Sequence, residues 1–394
     1  MTRVRFRHRV YNFILRAPVR LFGYLKYGYH IDKVFKIKKK ENVLILSNHQ
    51  NTLDPLWVTI GFNKPLYFVA GDTLFSNGIG SKFLNHVFAP IPKKKGTVDP
   101  NCVKQILKTM KEGGSVAIFP EGNLSYAEFQ FYMDEGLARL VKKINKPLVL
   151  YNLSGGNGVS PRFSKKIRKG KFIGYVKKVL YPEEYLNYSD QELLKIIQDN
   201  LKVYDSENGN LYKSNLRAEY LERMIFVCPK CGKIETFHSQ GNLITCSSCN
   251  LTVEYTEDLH LKSNDPSFNF TILNDWYQFQ KQWCKNYQVS DEVIFYDQNI
   301  ELYVTKVNEK RKLIYSGEIK LFKDKLVFNN ISINLIDIHN ASVIGGRKFN
   351  FSTLECDYFV IGHARFNPLK YVLMFNRLDT YMRIHNLDKY FNLD

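Results

Sequence analysis

Over the first two hundred residues, short apolar runs alternate with stretches of helical spacing. Residues 43–47 (VLILS) form a buried strand. Asp54 and Pro55 then mark a helix start, with aspartate at the N-cap and proline at the first helical position. Residues 66–71 (LYFVAG) give a second strand. Asp99 and Pro100 open a helix that carries Val103, Ile106, Leu107 and Met110 on one face and stops at Gly113-Gly114. Residues 115–120 (SVAIFP) and 147–153 (PLVLYNL) are strands with a helix, GLARLVKKI, between them, and KFIGYVKKVL adds one more strand. Ser189 and Glu192 form a capping box for a helix that runs to about 203. Strand and helix in alternation predict an α/β layered sheet over residues 41–205.

The pattern changes after 205. DSENGNLYKSN is polar and loop-like, so a domain boundary falls in or near it. Residues 222–258 make a short cysteine-rich unit. In the remainder, 265–394, strand-length apolar runs recur between turn residues: VIFYD, IELYVTKV, LIYSGEIKLF, KLVFNN, SINLIDI, ASVIGG, YFVIG and YVLMF. They predict an all-β C-terminal domain, barrel- or sandwich-like. Residues 1–40 mix aromatics, leucines and arginines, and Pro18 interrupts any long helix there. That segment fits two arrangements, one lying in a membrane interface and one packed as an amphipathic helix on its own domain.

Charge narrows the choice of partner. The chain has 394 residues, is 44% apolar and carries a formal charge of +18, a globular composition with a strong pull on anions. Residues 1–40 hold twelve lysines and arginines against the single acid Asp32, and residues 161–180 hold eight and no acid. No apolar run is long enough for a spanning helix, and MTRVRFRHRV lacks the apolar core of a signal peptide. Of the seven cysteines, Cys102, Cys284 and Cys356 are scattered singly, as expected in a reducing compartment.

Two stretches carry chemistry. His49 leaves the carboxyl end of the first strand, where sites form in open α/β sheets. Asp54 is near enough in sequence to accept a ring N–H and fix the tautomer, leaving the other nitrogen as a general base. Asp54 as a simple N-cap, and His49 as an ordinary loop histidine, are the plainer alternatives. IFPEGNLSY, at 118–126, also follows a strand and makes a turn of Pro120, Glu121 and Gly122. Separately, Cys228, Cys231, Cys246 and Cys249 form two C-x2-C knuckles with 14 residues between them. Four thiolates at that spacing predict a closed structural Zn²⁺ site, a zinc ribbon.

Asn48, His49 and Asp54 match N-H-x4-D, and Phe119, Pro120, Glu121 and Gly122 match F-P-E-G. With both motifs in register, residues 20–205 resemble the glycerolipid acyltransferase family, the group that includes lysophosphatidic acid acyltransferases. The resemblance implies acyl transfer from acyl-CoA or acyl-carrier protein to the hydroxyl of lysophosphatidic acid, giving phosphatidic acid. It makes His49 the base and Asp54 its orienting partner, with Phe119, Pro120, Glu121 and Gly122 binding substrate beside backbone amides that stabilise an oxyanion. The family's phosphate-binding arginine is replaced here by Lys93, Lys94 or Lys95, of which Lys93 fits the register. The arginine expected after F-P-E-G is also missing, and Arg162 or Lys165 is the candidate substitute. Another lysophospholipid or a glycolipid is the alternative acceptor.

The expected setting is peripheral, on the cytoplasmic face of a membrane, with lysophospholipid, an anionic surface and acyl-carrier protein as partners. Arg3, Arg5, Arg7, Arg9, Arg16 and Arg20 are expected to meet lipid phosphates while Phe13, Leu15, Leu21 and Phe22 insert. A rival reading, a basic zinc-ribbon protein binding nucleic acid, accounts for the charge and the cysteines but leaves both motifs unexplained. No nucleic acid is therefore expected.

Overall fold

In a computed structural model of the chain, residues 2–71, 79–93, 99–128, 130, 132–306 and 309–391 are described. They divide into two compact units. One comprises 1–162, 166–214 and 257–259; the other comprises 163–165, 215–256 and 260–394.

The first unit is built on a mixed seven-stranded sheet. Its strands are Tyr29–Ile31 (β1), Leu44–Ser47 (β2), Leu66–Gly71 (β3), Ile91–Lys93 (β4), Ser115–Ile118 (β5), Leu148–Ser154 (β6) and Phe172–Leu180 (β7), in spatial order β1-β7-β6-β2-β5-β3-β4. β2 is central and pairs in parallel with both β5 and β6, while β7 runs antiparallel to β6. The exits of β2 to β6 therefore share one edge of the sheet. The helices are Phe6–Tyr27 (α1), Asp54–Ile60 (α2), Ile79–Val87 (α3), Pro100–Lys111 (α4), Gly136–Ile144 (α5), Gly156–Val159 (α6), Pro182–Tyr185 (α7) and Asp190–Leu201 (α8). α4, α5 and α8 bury Ile106, Met110, Val141, Leu193 and Ile197 against Leu44, Val116 and Leu148 of the sheet. The expected α/β layering is present. So are two predicted starts: Asp99 accepts from the Cys102 amide, and Ser189 and Glu192 form the capping box.

α1 departs from expectation, because it runs unbroken for 22 residues through Pro18. Proline removes one intrahelical bond, and contacts on either side of it hold the helix. Arg16 donates to the carbonyls of Ile60 and Phe62. Gly23 packs so tightly on Trp57 that a Cβ would lie 2.7 Å from the ring. One face of α1 is thus docked, while Phe6, Phe13, Leu21 and Leu25 on the other remain largely exposed. Arg3 is also taken up internally, by Thr109, Gln105 and the carbonyls of Ala89 and Pro90. Among the described residues no helix is long and apolar enough to cross a membrane.

The second unit is antiparallel throughout. Phe237–Gln240 (β8), Leu243–Cys246 (β9), Thr252–Tyr255 (β10) and Leu261–Lys262 (β11) form a small sheet in the order β11-β10-β9-β8. Phe295–Thr305 (β12), Lys312–Leu321 (β13), Lys325–Phe328 (β14), Ile331–Asn334 (β15), Asn340–Ile344 (β16), Lys348–Ser352 (β17) and Asp357–Ile361 (β18) form one sheet in the order β15-β14-β13-β12-β18-β17-β16. Two helices join these strands, Leu273–Lys285 (α9) and Pro368–Phe391 (α10). YVLMF, expected as a strand, lies inside α10. Its start is set by Asn367, whose side chain accepts from the amides of Leu369 and Lys370, with Pro368 as the first helical residue. A five-residue apolar run has no period long enough to separate a strand from a buried helix.

Candidate active site and cysteine cluster

The loop after β2 turns His49 back onto Asp54. His49 Nδ1 lies 2.9 Å from Asp54 Oδ2, and the same oxygen accepts from the amides of Gln50 at 2.6 Å and Asn51 at 2.8 Å. Asp54 is therefore not a side-chain N-cap. Leu53 occupies the N-cap position, and the Asp54 carboxylate faces the loop instead of the helix. Three N–H donors compensate a carboxylate that is 0% exposed, whereas the His49 side chain keeps 19% exposure. Donation from Nδ1 leaves Nε2 as the lone-pair nitrogen.

The segment after β5 closes on this loop. Phe119 stacks on the His49 imidazole with ring centres 4.0 Å apart at 14°, and stacks in turn on Phe68. The Ser125 amide donates to the His49 carbonyl at 2.8 Å. Phe119 to Gly122 form a turn closed by the Gly122 amide on the Phe119 carbonyl, with Gly122 at φ +65, in the left-handed region that favours glycine. The Gly122 and Ser125 amides are therefore committed, and neither is offered to a reacting oxygen in this conformation. Glu121 is buried. Pro120 is half-buried within the turn.

β2 and β5 are neighbours, so His49 and the F-P-E-G turn meet side by side at the shared edge. Lys93 ends β4, paired with Gly71 of β3, exposed and at the same edge. It stands three strands from β2, or on the order of 14 Å at ordinary strand spacing. Lys94 and Lys95 lie outside the described residues. Arg162 donates to the Leu124 carbonyl at 2.9 Å and lies over the Tyr126 ring, so it anchors the segment that follows Gly122. Lys165 belongs to the second unit, where it donates to the Tyr220 hydroxyl.

The sequence pattern did not reveal what braces the loop. Asn48 exchanges two hydrogen bonds with the backbone of Leu153, both at 2.8 Å, and Gln50 Oε1 accepts from the Gly156 amide at 2.9 Å. These partners are more than a hundred residues away in sequence. No local signal marks them.

In the second unit, the four knuckle cysteines converge with all Sγ atoms within 4.8 Å of one another. Both knuckles use the same turn. The Gly232 amide donates to the Cys228 carbonyl and the Asn250 amide to the Cys246 carbonyl, with Gly232 and Asn250 at φ +70 and +58. Four thiol sulfurs gathered this closely, with no disulfide among them, are a donor set able to hold a metal ion. His238, on β8, is not part of the cluster.

Residues 30–151, about a third of the chain, match the model of the Acyltransferase family. This part of the chain is an acyltransferase-family domain, as the two motifs had suggested. The solved structures similar to the chain include the 1-acyl-sn-glycerophosphate (LPA) acyltransferase PlsC from Thermotoga maritima. It is 17% identical, with a TM-score of 0.40, and the match covers 48% of this chain and 78% of that one. No curated protein matches the chain.

Proposed function

We propose that the chain transfers a fatty acyl group from an acyl thioester, acyl-CoA or acyl-carrier protein, to the hydroxyl of a lysophospholipid, with lysophosphatidic acid as acceptor and phosphatidic acid as product. The observation that carries this reading is the His49–Asp54 pair at 2.9 Å, open to solvent on the histidine side and set beside the F-P-E-G turn. His49 Nε2 removes the acceptor's hydroxyl proton as that oxygen attacks the thioester carbonyl. Asp54, fixed by the Gln50 and Asn51 amides, stabilises the imidazolium that forms. The tetrahedral oxyanion then collapses, the C–S bond breaks, and the leaving sulfur takes the proton back from His49. General-base catalysis of this kind contributes roughly 10²–10⁴-fold. Lys93 supplies a point charge for the acceptor's phosphate, less demanding in geometry than an arginine fork. Thiol release from oleoyl-CoA with lysophosphatidic acid tests the reading: activity in the native chain that is lost in a folded His49→Ala variant supports it, and equal activity in both removes His49 from the mechanism.

The exposed apolar face of α1, flanked by Arg5, Arg9 and Arg20, is the surface we assign to an anionic leaflet. Arg3 and Arg16 are excluded from that role by their internal bonds, and Leu15 by its partial burial. Replacing Phe13 and Leu25 with serine should abolish flotation with anionic vesicles while leaving the fold intact; undiminished flotation would place the contact elsewhere. The cysteine cluster fits Zn²⁺ in a structural site, held by Cys228, Cys231, Cys246 and Cys249 with no position left for a substrate. Metal analysis should find about one zinc ion per chain and almost none in Cys231→Ser.

A further inference from the structure

Behind His49, a single short segment holds three loops at once. Asp205 is buried, and its carboxylate accepts from the Gly155 amide at 2.6 Å, the Asn157 amide at 3.0 Å and Ser154 Oγ at 3.3 Å. It also accepts from the Gln50 side chain, whose oxygen takes the Gly156 amide. The next residue, Ser206, donates from its amide and its hydroxyl to the Glu128 carboxylate, at 2.8 and 2.5 Å. The exits of β2 and β6 and the segment that follows β5 therefore meet at Asp205 and Ser206. These two residues lie beyond the part of the chain matched by the family model, in a stretch whose polar letters look like a linker.

The arrangement is costly. Burial pushes the Asp205 carboxyl up to about 6, against the bonds from Gly155 and Asn157. Burial together with the charge of Asp205 pushes Glu128 up to about 7. Glu128 also sits at φ +60, a strained backbone for a residue with a side chain. Strain and buried charge concentrate where a geometry has to be held.

What they hold is Gln50. Its backbone amide is 2.6 Å from Asp54 Oδ2, the same oxygen that takes His49 Nδ1, and its side chain is gripped by Asp205 and Gly156. We propose that Asp205 is a positioning residue for acyl transfer, acting through Gln50 to keep His49 and Asp54 in register. The proposal rests on the reading of His49 as the base. Without Asp205, the Gln50 side chain loses one of its two anchors. The loop then turns, and the Gln50 amide and His49 shift together relative to Asp54. A displacement of about 1 Å at a reacting group costs up to roughly 100-fold in rate.

The test uses the full chain labelled at histidine nitrogen, with Asp205→Asn, Gln50→Met and the double variant. The His49 signal is identified by its loss in His49→Gln. Expected are a kcat lowered roughly 10- to 100-fold in each single variant with KM within about threefold, a double variant no slower than the worse single, and a His49 signal moved away from the native Nδ1–H tautomer. Folded variants with a native His49 signal, or losses that multiply in the double, would overturn the proposal. Gln50→Met keeps the buried volume and decides alone if Asp205→Asn does not fold. A native chain with no acyl transfer from any thioester would remove the proposed function, and the His49 signal would still decide the positioning.

Discussion

Each unit contains a short contact between a basic and an acidic side chain, and the two contacts are built oppositely. In the first unit His49 meets Asp54 at 2.9 Å, with the acid sealed and the histidine open. In the second, Lys370 meets Asp297 at 2.6 Å and also contacts Glu235, while Tyr371 donates to Asp297 at 2.7 Å. Lys370 is 1% exposed. Burial pushes its ammonium down and the Asp297 carboxyl up, so the pair shares a site that disfavours both charges. Proximity of a base to an acid therefore says little about catalysis. A catalytic pair needs one nitrogen facing a space that substrate can enter, and Lys370 has none. Lys370 lies on α10 and its partners come from the cysteine-rich segment (Glu235) and β12 (Asp297), so it ties that segment to the large sheet of the same unit.

The contrast can be broken most directly at His49, where His49→Ala should reduce turnover by roughly 10²–10⁴-fold with unchanged circular dichroism. Loss of structure together with activity would make His49 another buried brace. Lys370→Ala should act in the reverse sense. It leaves Asp297 and Glu235 without their cation, at a cost of roughly 3–5 kcal/mol in chemical unfolding, while the folded fraction keeps its turnover. A neutral result would show that the pair carries no net interaction. The smallest effect belongs to Glu128. Its folded value of about 7 lies above the ordinary carboxylate range, so its contribution to stability is full below about 4.5 and is lost as pH rises through 7. Glu128→Gln should remove that dependence, worth at most about 1.4 kcal/mol per pH unit for one proton. Unfolding curves at pH 5.5 and 8 that keep their native difference in the variant would rule it out.

The polar segment at 205 shows why the site was only half legible. Its letters signal a turn, because Asp, Ser, Asn and Gly favour turns wherever they stand. The burial of Asp205 and Ser206 depends on three loops from other strands converging at that point. The same holds for Asn48 and Leu153, whose mutual bonds span more than a hundred residues. His49, Asp54 and the F-P-E-G turn were legible because short spacing and a strand exit already constrain them. Phe119, expected among the substrate-binding residues, is seen packed flat on the imidazole, a contact that no motif describes.

The sequence alone determined the elements whose signals are local: the caps at Asp99 and Ser189, the alternation of strand and helix, and the two cysteine knuckles. Each rests on atoms within a few residues of one another, so composition and spacing suffice. Tertiary structure decided the rest. It carried α1 through Pro18 by docking both sides, turned the Asp54 carboxylate away from its own helix, made YVLMF helical, and buried Asp205 beneath the loop of His49. For α1 and Asp205 the deciding contacts come from residues far away in the chain, and the loop that turns Asp54 is itself braced from Leu153 and Gly156; such contacts outweigh local preferences worth about 1 kcal/mol for an ordinary residue or cap and about 3 kcal/mol for proline.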